Sequence, residues 1–206
     1  TPVSELAAGE QLFEEMELGG IVNFIAFRQA VAGYNRIKEK SKPILTLIDF
    51  SKPSTEKRFF VFDMEKKQLL YSSVVSHGRN SGENYATSFS NQNGSYKSSL
   101  GFYLTENTYQ GGNGYSLILN GLEKGINDKA KERSIVVHGA SYANPTVAAS
   151  GRLGRSLGCP ALPTKLAKPI INTIKDGSVM FIYANNSSYL AQSDILKNVS
   201  APMPAL

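Results

Sequence analysis

Ile44-Leu45-Thr46-Leu47-Ile48-Asp49-Phe50 is the stretch at which the chain changes its period. Before it, apolar residues recur every third or fourth position. From Ile44 onward they come in short strand-like runs bounded by turn residues. Arg58–Met64 and Gln68–Ser76 read as a hairpin about Glu65-Lys66-Lys67. Ser99–Leu104 and Tyr115–Leu119 are further strands, parted by Gly111-Gly112-Asn113-Gly114, and Ser134–His138 is a short β-branched run. A helix is expected over Pro163–Lys175, Asp176-Gly177 turns the chain, and Ser178–Tyr183 is a last strand.

Upstream of Ile44 the pattern is helical. Residues 3–18 form one candidate helix, stopped by Gly19-Gly20. A second runs from about Asn23 to Lys40, with Phe24, Phe27, Ala30, Val31 and Tyr34 on one face. Asn23 suits its N-cap, and Lys38 and Lys40 its last turn. Pro202 and Pro204 argue against regular structure at the far end, so residues 185–206 read as a loosely attached tail. The fold class is mainly β (α+β) with a helical N-terminal addition. The expected divisions are residues 1–40, a catalytic domain over 41–190, and a tail over 191–206.

The chain has 206 residues, 41% of them apolar, enough for a buried core in a domain of ordinary size. Its net charge of +5 is spread over small clusters. Lys57-Arg58, Lys66-Lys67 and Lys129, Lys131 with Arg133 read as solvated faces or turns. None is interleaved with aromatics in the manner of a nucleic-acid surface, so no nucleic-acid partner is expected. No apolar run is long enough for a membrane span. One cysteine and two histidines are too few for a usual zinc set, and no metal or organic cofactor is expected. The chain begins Thr1-Pro2, which reads as a processed or trimmed form, an export signal having been removed.

Nucleophilic chemistry is where the sequence speaks most clearly. Cys159 closes Gly151-Arg152-Leu153-Gly154-Arg155-Ser156-Leu157-Gly158-Cys159, and His138 ends a β-like run 21 residues earlier. A thiol needs a base or a cation nearby to become a thiolate, and histidine serves as either. Glycines beside it let the backbone aim N–H groups at an oxyanion. A lone cysteine can equally be a small buried hydrophobe. Here its neighbours are arginine, serine and glycine, which is the composition of a loop.

The order histidine, loop, Ser156-x-Gly158-Cys159 resembles the murein L,D-transpeptidase family, the YkuD-type catalytic domain, whose signature ends in Ser/Thr-His-Gly-Cys-x-Asn. Leu157 stands where that signature has histidine and Ala161 where it has asparagine. A divergent branch of the family lacks both, and the chain resembles it through Asp49–Ser54, His77-Gly78-Arg79-Asn80-Ser81-Gly82, Phe89-Ser90-Asn91, Ser98–Tyr103, Gly114–Leu117 and Gly154–Pro160. The resemblance spans roughly residues 40–185.

What the resemblance implies is a β-sandwich catalytic domain that cross-links bacterial peptidoglycan. Cys159 would attack the third residue of a stem peptide, release D-alanine and form a thioester. His138 would be its base, and the N–H groups of Gly158 and Cys159 the oxyanion donors. Ser156 would shape the turn, and a carbonyl of Ser156 or Gly139 would orient the imidazole. His77 is the rival base; His138 is preferred for its position before Cys159, leaving His77 to line the substrate cleft. Arg155 and Arg152 would bind stem carboxylates, and Tyr142 and Tyr115 would line the cleft. Carbapenem-type β-lactams are the expected inhibitors and the bacterial periplasm the expected location. With water as acceptor the site is an L,D-carboxypeptidase. A cysteine amidohydrolase of other specificity and a non-catalytic wall-binding module are the remaining alternatives.

Overall fold

The computed structural model describes residues 2–199, with side chains from residue 7 onward. Helix α1 (Pro2–Glu15) and helix α2 (Phe24–Arg36) precede strands β1 (Ile44–Asp49), β2 (Phe59–Asp63) and β3 (Gln68–Ser73). Strands β4 (Gly101–Gly111) and β5 (Gly114–Gly121) form a long hairpin, followed by β6 (Val136–Gly139) and the short α3 (Pro145–Ala148). Then come β7 (Ala161–Leu162), α4 (Thr164–Ile174), β8 (Val179–Tyr183) and α5 (Ser187–Gln192).

All eight strands share one sheet in the order β3-β2-β1-β8-β4-β5-β6-β7. Most pairs are antiparallel. The exceptions are β1 with β8, registered Leu45↔Val179 through Asp49↔Tyr183, and β6 with β7, registered His138↔Ala161. Every residue of β1 and β8 is buried. That explains why Ile44–Asp49 shows no alternation: a parallel pair covered on both faces reads as a continuous apolar run.

Helix α2 lies against β1 and β8, and α4 against β6. The contact of α2 is close enough to require glycine: a Cβ at Gly33 would lie 2.0 Å from the Phe102 ring. Phe27 meets Phe62 edge-on at 5.2 Å, and Phe13 of α1 packs on Phe24 and Phe27. Asn23 caps α2 as expected, its side-chain oxygen accepting from the N–H groups of Ile25 and Ala26. The helix ends at Arg36, earlier than expected; Lys40 folds back to donate to the Ile37 carbonyl. Among the described residues no helix is long and apolar enough to cross a membrane.

The segment after β8 is held more firmly than its composition suggests. Buried Glu123 accepts from the Phe102 N–H (3.0 Å), the Tyr189 hydroxyl (2.7 Å) and the Ser193 hydroxyl. Tyr189, Leu196 and Val199 are buried. The expected loose tail from 185 is therefore corrected as far as residue 199, while Pro202 and Pro204 lie outside the described residues. Burial pushes the Glu123 carboxyl above the ordinary range, against the opposing pull of its Ser193, Tyr189 and Phe102 bonds.

A carboxyl whose folded value is raised holds its proton more tightly when folded. Its contribution to stability is present below the ordinary carboxylate value and lost as pH rises through the folded one. Glu123→Gln is expected to remove that loss. Urea unfolding of parent and variant between pH 4 and pH 7 should show the parent falling relative to the variant as pH rises.

Candidate active site

Strand β6 delivers His138 between β5 and β7, paired with Ser116 on one side and Ala161 on the other. The imidazole is buried, and its Nδ1 lies 3.0 Å from the Gly139 carbonyl. A carbonyl can only accept, so that contact puts the proton on Nδ1 and leaves Nε2 with its lone pair. Nε2 has no hydrogen-bond partner among the described residues.

Cys159 lies at the end of a tight turn entering β7. Ser156 Oγ accepts the Gly158 N–H (3.1 Å) and donates to the Cys159 carbonyl (2.6 Å). The turn needs a glycine at 158, where φ is 126° and a Cβ would lie 3.0 Å from the Lys97 carbonyl. Cys159 is buried, the residue being 9% exposed. Its sulfur accepts from the Val136 N–H at 3.4 Å and lies 3.5 Å from the Ser134 carbonyl, to which the thiol proton is donated. No hydrogen bond joins it to His138 among the described residues. Two residues of β6, a rise of about 6.6 Å, separate the N–H that holds the sulfur from His138.

Burial pushes the Cys159 thiol up, and the Val136 N–H and the charge of Arg133 pull it partly back. Arg133 bridges outward from this point, donating to the Ser90 and Lys97 carbonyls and to the hydroxyls of Ser95 and Ser99. It is a cross-link from the loop at 88–99 to the base of β6, where a solvated turn was expected. A cavity of about 340 Å³ adjoins the same backbone, lined by Tyr109, Ile118, Lys131, Ser134, Ile135 and Val136.

The other expected site residues are placed as follows. The Tyr142 Cβ would touch any side chain at Gly154, and burial, with the Cys159 thiol adding, pushes its hydroxyl up to about 12. Tyr115 donates to Asn172 of α4 at 2.6 Å and so ties β5 to that helix. Arg155 and Arg152 are not free: Arg155 Nη1 lies 3.2 Å and Arg152 Nε 3.0 Å from the two oxygens of Glu83. Leu157 is 59% exposed.

His77 departs from its expected place on the cleft. It is 1% exposed, with Nδ1 2.9 Å from Arg58 Nη2 and Nε2 3.1 Å from the Gly82 carbonyl. Its side chain is sealed; what it offers the cysteine loop is backbone, the Ser156 N–H donating to its carbonyl at 3.0 Å. Arg58, read from sequence as part of a solvated cluster, is fully buried. Arg58 and Arg133 were missed because most of their partners, backbone carbonyls, serine hydroxyls and a histidine, lie far away in sequence. The only trace was that Arg58 directly precedes the apolar run Phe59–Phe62.

Compared with known proteins, residues 20–183 match the family model of the L,D-transpeptidase catalytic domain. The chain belongs to that family. The matched span takes in α2 as well as the whole sheet. No curated protein sequence matches. Among solved structures, an L,D-transpeptidase from Mycobacterium smegmatis is 12% identical with a TM-score of 0.42, over 69% of this chain and 59% of that one. L,D-transpeptidase 3 from Mycobacterium tuberculosis is 13% identical with a TM-score of 0.44, over 68% and 61%. The helical cell shape determining protein Pgp2 from Campylobacter jejuni is 14% identical with a TM-score of 0.47, over 77% and 55%. This L,D-transpeptidase domain thus spans less than two thirds of the length of these proteins.

Ser156→Ala should orphan the Gly158 N–H and the Cys159 carbonyl together, at a cost of about 1–3 kcal/mol. Denaturant unfolding checks the cost. Alkylation of native Cys159 by iodoacetamide at pH 8, followed by mass, should run at least tenfold slower than that of free cysteine and speed up in the variant.

Proposed function

We propose that this domain is a cysteine acyltransferase acting on peptidoglycan stem peptides in the bacterial cell envelope. One observation carries the reading: the Nδ1–H of His138 is committed to the Gly139 carbonyl, so the unprotonated Nε2 belongs to a histidine on the strand beside the Cys159 turn. That is the tautomer a general base needs. Family membership supports the same chemistry.

In this reading His138 Nε2 takes the Cys159 proton as the sulfur attacks the carbonyl of the third stem residue. The tetrahedral oxyanion collapses to a thioester, and the departing D-alanine amine receives the proton from His138. The side-chain amine of a second stem then attacks the thioester, gives its proton to His138 and releases the thiolate, which recovers the proton. Water in place of that amine makes the same site an L,D-carboxypeptidase. The oxyanion assignment narrows relative to the sequence expectation. Because Ser156 Oγ holds the Gly158 N–H, the Cys159 N–H is the remaining donor of that pair. Ser156 then acts as the brace of the turn rather than as a reactant.

Arg155 and Arg152 remain the proposed seat for a stem carboxylate, reached by displacing Glu83. An exposed ion pair is worth about 0–1 kcal/mol, and the Glu83 side chain is 74% exposed, so the exchange costs little. Tyr142 would form the wall on the Cys159 side.

The buried thiol favours one second reading, a wall-binding module without catalysis, because a raised thiol with no bond to His138 is also what an inert cysteine shows. Intact mass after incubation with a carbapenem separates the two. Imipenem is bound in a structure of the L,D-transpeptidase LdtMt1, and a faropenem-derived adduct in one of L,D-transpeptidase 3 from Mycobacterium tuberculosis. The acyltransferase reading expects a stoichiometric adduct on the native protein, none on Cys159→Ala, and at least a hundredfold slower acylation in His138→Ala. With disaccharide tetrapeptide as substrate, cross-linked dimers indicate transfer to an amine and trimmed tripeptides transfer to water. No adduct and no turnover would sink the enzyme reading in favour of the module.

A further inference from the structure

Arg58 stands just before β2 with its guanidinium fully buried, and among the described residues no carboxylate lies within ion-pair distance of it. Removing such a charge from water costs several kcal/mol unless its donors are used. Here four of the five N–H donors are used, and the charge of buried Asp49 acts on the cation from beyond ion-pair distance. Nε and Nη2 reach the Val75 carbonyl (3.1 and 2.5 Å), Nη1 reaches the Lys52 carbonyl (3.1 Å), and Nη2 also reaches His77 Nδ1 (2.9 Å). The cation lies 4.8 Å from the centre of the Phe50 ring.

A guanidinium has no lone pair to give, so His77 Nδ1 must be the acceptor. The proton is thereby forced onto Nε2, which donates it to the Gly82 carbonyl. That carbonyl also receives Arg155 Nη1 at 3.4 Å, and Arg155 reaches the Arg79 carbonyl at 2.9 Å. In the backbone, the Ser156 N–H donates to the His77 carbonyl and the Arg79 N–H to the Ser156 carbonyl. The segment 77–82 is thus gripped from below by one imidazole and laid along the loop that ends in Cys159.

We propose that Arg58 is a positioning residue of the cysteine site, acting through His77: it fixes the Nε2–H tautomer, and that single tautomer holds the 77–82 segment against the Ser156–Cys159 turn. The groups facing His77 are Arg58 from the start of β2, the Phe50 ring after β1, Arg155 of the cysteine loop, and the backbone of Gly82 and Glu83. No carboxylate among them stabilises a histidinium. Burial and the Arg58 charge bring His77 down to about 4, so the arrangement persists through neutral and mildly acidic pH. The inference rests on the acyltransferase reading only for its rate measurements.

The test uses the full chain labelled with 15N-histidine, in which two imidazoles are present and a His138→Gln sample assigns them. Native His77 is expected to show a protonated Nε2 and a bare Nδ1, unchanged from pH 8 to pH 5. In Arg58→Met it should titrate nearer the ordinary 6.5. Carbapenem acylation of Cys159 in Arg58→Met, relative to the parent, should fall at least tenfold at pH 6 and by less at pH 8. His77→Gln keeps an acceptor for Arg58 and a donor for Gly82 and should retain most of the rate; His77→Phe keeps neither and should lose at least tenfold.

Arg58→Met acylating at the parental rate across that range overturns the proposal. So does His77→Phe matching His77→Gln, a comparison that decides the matter even where Arg58→Met fails to fold. If the parent itself takes no carbapenem, the acyltransferase reading fails. The relay is then judged on the tautomer spectrum and on iodoacetamide rates at Cys159 in the same variants.

Discussion

Parallel pairing of β1 with β8 joins the first strand of the sheet to the last, from Leu45↔Val179 to Asp49↔Tyr183. Because it is buried on both faces, this pair obliges helices to cover it, and α2 supplies a close-fitting cover through Gly33 over Phe102. It also sets the order of the remaining strands. With β8 held at the centre, β4 adds to its other edge, and the β4–β5 hairpin carries β6 outward to meet β7. The cysteine turn and the histidine strand therefore meet at the margin of the sheet, where β7 is only two residues long and the loop before it is bonded back along residues 77–79.

At that margin the charges are arranged with restraint. Among the described residues no carboxylate hydrogen-bonds His138; a backbone carbonyl orients it, and a carbonyl fixes a tautomer while adding no full charge. The thiol is held by one backbone N–H and influenced by one half-buried arginine, and burial outweighs both. A buried thiol kept protonated is protected from oxidation and adventitious alkylation, since the thiolate is the reactive form.

Much of this could be read from the chain before folding. Strand positions and the Asn23 cap depend on local chemistry and came through. What did not come through was set by distant partners. Arg58 sits beside Lys57 and reads as a surface pair, yet Val75, Lys52 and His77 take it inside. Arg133 belongs by sequence to a basic turn, and loop carbonyls from another part of the chain absorb it. His77 and His138 share a Ser-Val-Val-x-His-Gly-like setting, but one has both ring nitrogens occupied and the other has one open. Arg152 and Arg155 have the right chemistry for a carboxylate and hold one from the protein itself.

Glu123 lies well inside the span by which the family is recognised, which ends at Tyr183. Two of its three hydrogen-bond donors, Tyr189 and Ser193, lie beyond that end. The span matched to the family and the span that satisfies Glu123 are thus different lengths. A chain cut at Tyr183 would keep the strands, the cysteine and the histidine. It would leave the buried Glu123 carboxyl beside β4 with one hydrogen-bond donor where it had three, so the packing around β4 closes only beyond the matched span.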